Sequence, residues 1–345
     1  MTTLELGNDA ARQAQSAGSA RTTKNSPGRR IVSRIVQAIF VVWAAYTAAF
    51  FLLNALPGDP VLLILGPDAA TLPQEEIDAF AAERGLDRPL IVQYFVALGG
   101  LLTGDLGVSY QMGQEVTTII GEAIVPTLRL AAVAVVFSLI GGVALAFAAS
   151  YWRVPWIRQP LLALPSLAYS IPSFWLGLVF IQIFAFELQI LPAFSDGNFR
   201  SLILPALPLA VSTGAMIAQV FTLSLDEELA SPYTTTARAK GAGRGRILFL
   251  HATRNAAGPV LTMAGLLLGN LVTGAVVTET VFSRAGFGRL IVTAVTNQDI
   301  PVVLGAVLVV SLAYSVINAL VDLAYPLIDP RQRTARSVRT RQEGE

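Results

Sequence analysis

Apolar positions in this chain are gathered into long blocks from which charge is excluded, with neither the striping of an amphipathic helix nor the alternation of a half-buried strand. Six windows longer than 20 residues contain no Asp, Glu, Lys or Arg: 35–58, 130–152, 159–186, 201–225, 255–278 and 300–321. A helix rises about 1.5 Å per residue and the hydrocarbon core of a bilayer is about 30 Å thick, so roughly 20 uncharged residues make one span. The windows are apolar all round, whereas buried helices of a soluble protein keep a polar face. The pattern therefore predicts an all-α integral membrane protein with six transmembrane helices. The next longest window, 89–104, contains Gln93, Gly99 and Gly100 and predicts a short external or interfacial helix. The first window lies behind 34 residues and runs into Leu56-Pro57-Gly58-Asp59-Pro60 with no small-residue cleavage site. It reads as a retained span, not a signal peptide.

Lys and Arg orient the spans. Eighteen fall in the N-terminal segment, after spans two and four, and in the C-terminal segment; six fall on the other side. Both termini are thus expected in the cytoplasm of a bacterial cytoplasmic membrane. The expected organisation is a disordered tail at 1–30, a first span at 31–58, an external segment with short helices at 59–129, a transmembrane core at 130–328 containing a cytoplasmic loop at 226–257, and a C-terminal tail at 329–345. Within 59–129, the stretches 77–80 and 90–98 are the apolar parts.

Composition narrows the chemistry. Of 345 residues, 54% are hydrophobic and only 14% charged, against about 25% charged in soluble domains. Net charge is +1, which points to no nucleic acid or other strongly charged partner. With no cysteine and a single histidine, His251, thiolate chemistry and a His-rich metal site are excluded. No serine or carboxylate is spaced to make His251 catalytic, so it reads as a hydrogen-bonding residue on a helix face. The six windows hold no Asp, Glu or His, which leaves an intramembrane protease without its residues.

The loop after span four carries the most information. Pro232 suits the first turn of a helix reaching Lys240, and Gly241, Gly243 and Gly245 supply a flexible elbow. A second short amphipathic helix is expected over 246–257, with Pro259 opening span five. Arg238, Lys240, Arg244, Arg246 and Arg254 give the loop five positive charges and no acid between the first and the last. Charge alone would suit contact with anionic lipid. Two helices that present Tyr233, Leu248 and Phe249 suit a protein docking surface better.

At these residues the chain resembles the membrane permeases of ATP-binding-cassette (ABC) importers, in particular the dipeptide/oligopeptide group that includes nickel permeases. Thr235-Thr236-Ala237, three residues and Gly241 stand where that superfamily has Glu-Ala-Ala…Gly, with Thr235 replacing the Glu. Thr-Ala-Arg-Ala-Lys-Gly (236–241) and His-Ala-Thr-Arg-Asn-Ala (251–256) are similar to the form the subgroup uses. Leu-Pro-Gly-Asp-Pro (56–60), Gly-Leu-Asp-Arg-Pro-Leu-Ile-Val-Gln-Tyr (85–94), Gly-Asp-Leu-Gly (104–107), Pro-Ser-Phe-Trp-Leu-Gly (172–177), Glu-Thr-Val-Phe (279–282) and Asp-Pro-Arg (329–331) follow in the order of that family.

The resemblance implies a bundle of the type I importer permease kind, with Tyr233, Thr235, Thr236, Ala237, Arg238, Lys240, Gly241 and Arg246 in a loop that couples to an ATPase. It also implies a homologous second permease, two ABC ATPase subunits that hold ATP and Mg, an extracytoplasmic substrate-binding protein, and no cofactor bound by this chain. The sequence supports the need for an ATPase partner independently, because neither lysine, Lys24 or Lys240, follows a glycine as a phosphate-binding loop requires. In span five, Gly265, Gly269, Asn270 and Thr273 suit either helix packing or a translocation path. Pro165 and Pro172 permit a kink in span three. Glu279 and Asp322 lie at span ends, where a structural cap is the favoured reading over a substrate contact. An autonomous channel or secondary transporter is the competing class. The absence of ionisable residues inside the windows counts against it.

Overall fold

A computed structural model describes residues 27–55, 60–65, 72–194 and 197–328. Residues 1–26 of the tail expected at 1–30, most of the Leu-Pro-Gly-Asp-Pro motif and the C-terminal tail at 329–345 lie outside the described residues. The principal helices among the described residues are α1 (Pro27–Asn54), α2 (Pro60–Leu65), α3 (Gln74–Glu83), α4 (Leu90–Thr103), α5 (Val116–Tyr151), α6 (Pro155–Ser170), α7 (Ser173–Phe180, continuing as a π-helix over Ile181–Glu187), α8 (Arg200–Ala230), α9 (Pro232–Ala239), α10 (Thr253–Val281), α11 (Phe287–Thr296) and α12 (Ile300–Ile328). No strand occurs among them, only an isolated bridge between Val108 and Glu115. The chain divides into two units, Met1–Val41 and Val42–Glu345. Of the first, the described part is the opening of α1, whose side chains from Val32 to Val41 are almost all exposed.

Among the described residues, helices lie in all six charge-free windows. Backbone polar groups have no water to bond in hydrocarbon, so the chain satisfies them within each helix. Among the described residues, four helices are long and apolar enough to cross a bilayer (Val32–Asn54, α5, α8 and Ile300–Ala319), and a fifth if α6 and α7 count as one broken span. The third window is therefore not the continuous span that charge alone predicts. It breaks at Ile171-Pro172, and its two parts are bent by 101°. The ring of Pro172 forces the preceding residue out of the helical region, and Ile171 sits at ψ 126°. Pro160 and Pro165 stay inside α6.

Two other boundaries differ from expectation. The segment 59–129 is not separate from span two, because α5 begins at Val116 and carries Glu122 and Arg129 into it. A charge-free window marks the part of a helix that can sit in hydrocarbon, while the helix itself runs on past it. Likewise α1 begins at Pro27, inside the expected tail. Short helices α3 and α4 do form over the two apolar stretches. Tyr94 of α4 is buried against Tyr46, Phe50 and Leu304, and its hydroxyl accepts from Trp43 Nε1 at 3.0 Å.

Around α8, α5 lies closest. A Cβ on Gly142 would stand 2.6 Å from the Gly214 carbonyl, and one on Gly214 would stand 3.1 Å from that of Ser138. Only glycine permits that approach. Ile217, Phe221 and Leu225 of α8 join Ala146 of α5 and Ala256, Val260 and Leu267 of α10 in one buried cluster. Many large side chains stay exposed, among them Phe40, Leu128, Ile140, Leu167 and Trp175, as suits helices that have lipid for a solvent.

Candidate functional site

The segment after α8 is built around one helix turned by one glycine. Pro232 occupies the first turn of α9. Its C-terminal end closes with two hydrogen bonds, from Gly241 N to the Arg238 carbonyl at 2.9 Å and from Ala242 N to the Ala237 carbonyl at 3.0 Å. This is the Schellman pattern, which requires a left-handed residue after the cap, and Gly241 supplies φ +84°. Gly243 and Gly245 do not share that role. Gly243 is extended at φ −68°, and Gly245 lies inside the helical turn Arg244–Arg246. The elbow is a single residue, not the three that the sequence offers.

The second expected helix, 246–257, is not separate either. The turn Arg244–Arg246 passes into a π-helix over Ile247–Ala252 and then directly into α10. Pro259 lies within α10, where neither its missing N–H nor its ring ends the helix. The π-helical turn also departs from i→i−4 bonding. Ile247 and Leu248 are buried on the side facing α8, whereas Phe249 and Leu250 are exposed. Phe249 still meets Phe147 with ring centroids 4.8 Å apart.

Polar contacts hold α9 from behind. Thr234 is fully buried, and its hydroxyl is shared between the carbonyls of Ser231 at 2.8 Å and Leu229 at 3.0 Å. Tyr233 donates to Glu228 Oε2 at 2.7 Å, and Asn255 Nδ2 donates to the same oxygen at 3.2 Å. Burial and then that carboxylate push the Tyr233 phenol up, so the ring stays a donor. Tyr233 thus ties α8, α9 and α10 together through Glu228, where the sequence had suggested an outward docking side chain. Arg238 donates to the Leu229 carbonyl at 3.3 Å. Thr235, Thr236, Arg238, Lys240, Gly241 and Arg246 are exposed and Ala237 is half-buried. Seven of the eight sequence-selected residues therefore sit on α9 and its cap, and Arg246 lies across the turn. His251 places Nδ1 3.2 Å from the Arg246 carbonyl. Among the described residues, no group of three His, Asp or Glu is arranged for a metal ion.

A second polar knot lies at the other end of α10. Glu279 is fully buried and accepts from Thr127 Oγ1 at 2.5 Å, Gly288 N at 2.7 Å and Arg289 N at 3.2 Å. It thereby caps the N-terminus of α11, where partial positive charge suits a carboxylate. At the far end of α11, buried Asp299 accepts from Ser109 Oγ at 2.5 Å and Tyr110 N at 3.0 Å. The cap reading of Glu279 is the one that the geometry fits.

The residues chosen in span five fare differently. Thr273 is exposed, and among the described residues no atom lies within 4 Å of where a Gly269 Cβ would stand. Among the described residues, backbone-to-backbone approaches lie instead at Gly142 and Gly214, between α5 and α8, and at Gly288, whose Cβ would stand 2.4 Å from Val276 Cα of α10. The side-chain surroundings of Gly265, Asn270 and Asp322 lie outside the described residues. Sequence reasoning missed Thr234, Glu228, Asn255 and Thr127. Nothing in the run Thr234-Thr235-Thr236 marks which hydroxyl turns inward.

Comparison with known proteins agrees with this architecture. Residues 138–334 match the model of the binding-protein-dependent transport system inner membrane component, and residues 28–131 match the model of the N-terminal part of such membrane components. A Brucella abortus (strain 2308) protein assigned as a peptide transport system permease is 36% identical over 311 residues, which cover 88% of this chain and 98% of that one. The glutathione transport system permease protein GsiC of Escherichia coli K12 is 34% identical over 303 residues, with the same coverages. Among solved structures, an inward-facing conformation of the MetNI methionine ABC transporter superposes with a TM-score of 0.53 at 18% identity, covering 61% of this chain and 96% of that one. That likeness concerns the fold alone. With family models matching most of the chain and relatives aligned over nearly their whole length, this multi-pass membrane protein belongs to the inner membrane components of binding-protein-dependent transport systems, the permease subunits of ABC importers.

Proposed function

We propose that this permease imports peptides or similarly sized solutes, pairs with a homologous second permease, and takes its energy from cytoplasmic ATPases, one of which grips α9. The observation that carries the reading is the build of α9 itself. A short helix closed by Gly241 is fixed from behind by Thr234, Tyr233 and Arg238, and turns Thr235, Thr236, Lys240 and Gly241 outward. Such a helix passes a push on its outer face to α8 and α10 as a rigid body, which alternating access requires. ATP and Mg would sit on the partner ATPases, two per transporter.

In this reading the six spans are α1, α5, the broken α6–α7 pair, α8, α10 and α12, and both termini lie in the cytoplasm as the charge distribution favours. The segment before α5 would face the outside, where a substrate-binding protein delivers cargo. Gly269, with open space at its Cβ position among the described residues, and the exposed Thr273 are available to the second permease or to the path. Relatives named for peptide and glutathione transport support a peptide-like cargo.

Reconstitution tests the reading. Proteoliposomes holding this chain and its partner permease take up no peptide until the ATPases and ATP are added; uptake by this chain alone would favour an autonomous channel or carrier. Gly241→Leu abolishes retention of the ATPase on the permease while membrane insertion is unchanged. Full ATP-driven uptake by that variant would remove α9 from the docking site.

A further inference from the structure

Beside α9 lies a cavity of about 520 Å³ whose lining includes Arg153, Arg158, Arg238, Arg244, Asp226 and Ser150. Four guanidinium groups thus share one carboxylate, and that carboxylate is already engaged, with Arg158 Nη2 2.5 Å from Asp226 Oδ2. Arg244 donates through Nη2 to the Ser150 carbonyl at 2.7 Å. Its Nε and the Ser150 hydroxyl are both buried and have no partner among the described residues. A buried polar group left without a partner costs about 1–3 kcal/mol, so a ligand that offers anionic oxygens would gain from each. Burial, then the charges of Arg153 and Arg238, hold Arg244 below the usual guanidinium range, and an anion would relieve that repulsion too.

The surroundings indicate which anion. The turn from α5 into the start of α6 supplies Arg153 and Arg158, and residues 151–156 there expose Tyr151, Trp152 and Trp156, the last at 75%. Exposed Trp and Tyr at the end of a spanning helix mark the headgroup level of a bilayer. Basic pockets between spanning helices at that level take phosphate headgroups. An acidic side chain of a partner protein would bring the same oxygens but leave the aromatic rim without a role.

We propose that this pocket holds the phosphate of an anionic phospholipid headgroup. Arg153, Arg238 and Arg244 surround the phosphate, the Ser150 hydroxyl donates to it, and the acyl chains run past Trp152 and Trp156. Because Arg238 belongs to α9 and Arg153 to the α5–α6 turn, the lipid bridges the coupling segment to the bundle. The inference uses the membrane character of the chain and does not depend on which protein docks at α9.

Native mass spectrometry of the full-length chain, released from nanodiscs of phosphatidylcholine doped with phosphatidylglycerol, reads the site directly. The expected result is retention of phosphatidylglycerol over phosphatidylcholine, weakened about tenfold by Arg153→Gln, the loss of roughly one charge-assisted hydrogen bond. Inorganic phosphate leaves the retained lipid in place. Arg238→Gln, at an exposed position, gives the same loss should Arg153→Gln fail to fold, and Arg153→Lys gives a smaller one. Equal retention by wild type and both Gln variants overturns the proposal, as does equal retention of phosphatidylcholine. Displacement by inorganic phosphate assigns the pocket to free anions, and loss of the lipid when the ATPase subunits bind assigns it to a protein contact; either overturns the lipid.

Discussion

At the scale of single residues, the coupling segment shows how little of a site depends on residue type alone. Gly241, Gly243 and Gly245 look alike in sequence, yet only Gly241 adopts a left-handed conformation. A Cβ there meets nothing within 4 Å among the described residues, so the cost of replacing it lies in the backbone. Gly241→Ala should destabilise the end of α9 by about 1 kcal/mol, seen as faster hydrogen exchange of Ala239 to Ala242, while Gly243→Ala leaves exchange unchanged. Thr234 makes the complementary case. Thr234→Val keeps the shape and deletes a buried hydroxyl shared by two carbonyls, and should cost about 1 kcal/mol with loosened exchange across α9. Thr235→Val, at an exposed site, should not. Equal effects at the two threonines would mean that α9 is held by something other than the Thr234 hydroxyl. The sequence signalled the helix and its cap. It did not signal which threonine faces inward, because that depends on where the end of α8 lies.

At the scale of elements, the hydrophobic windows located helices and left their continuity open. Pro172 breaks its span, while Pro126 and Pro259 lie inside continuous helices. Whether a proline ends a helix depends on whether packing holds both sides in line, and the sequence does not contain that information locally. The spacing of Gly265 and Gly269 suggests a close helix approach in span five, whereas among the described residues such approaches lie at Gly142 with Gly214 and at Gly288 with Val276. Gly142→Ala should push α5 from α8 and cost about 1–3 kcal/mol, read as a lower Tm in detergent. Gly141→Ala, with nothing within 4 Å of its Cβ position among the described residues, should leave Tm unchanged or raise it. The cap on α11 is tested the same way. Glu279→Gln removes a charge held by two backbone N–H groups and a threonine, and should cost about 2 kcal/mol. Glu122→Gln, exposed on α5, should stay within about 0.5 kcal/mol. A Glu279→Gln protein as stable as wild type would deny the carboxylate its role in fixing α11.

At the scale of the whole molecule, the distribution of charge matters more than its total. The chain contains no cysteine, so single cysteines can report sidedness without background. Lys240→Cys should label with a membrane-impermeant maleimide only from the cytoplasmic face, and Glu76→Cys on α3 only from the outer face. The reverse pattern would invert the orientation read from Lys and Arg. What the sequence determined by itself was the membrane character, the places of the helices and the family, because each rests on composition and order along one chain, and the bilayer enforces them span by span. The tertiary structure alone decided which glycines allow helices to touch, which proline breaks a span, which hydroxyl and carboxylate are buried, and that four arginines from three separate segments share one pocket. Those outcomes depend on residues far apart in sequence arriving within hydrogen-bond distance, and distance in space is not written in any local pattern.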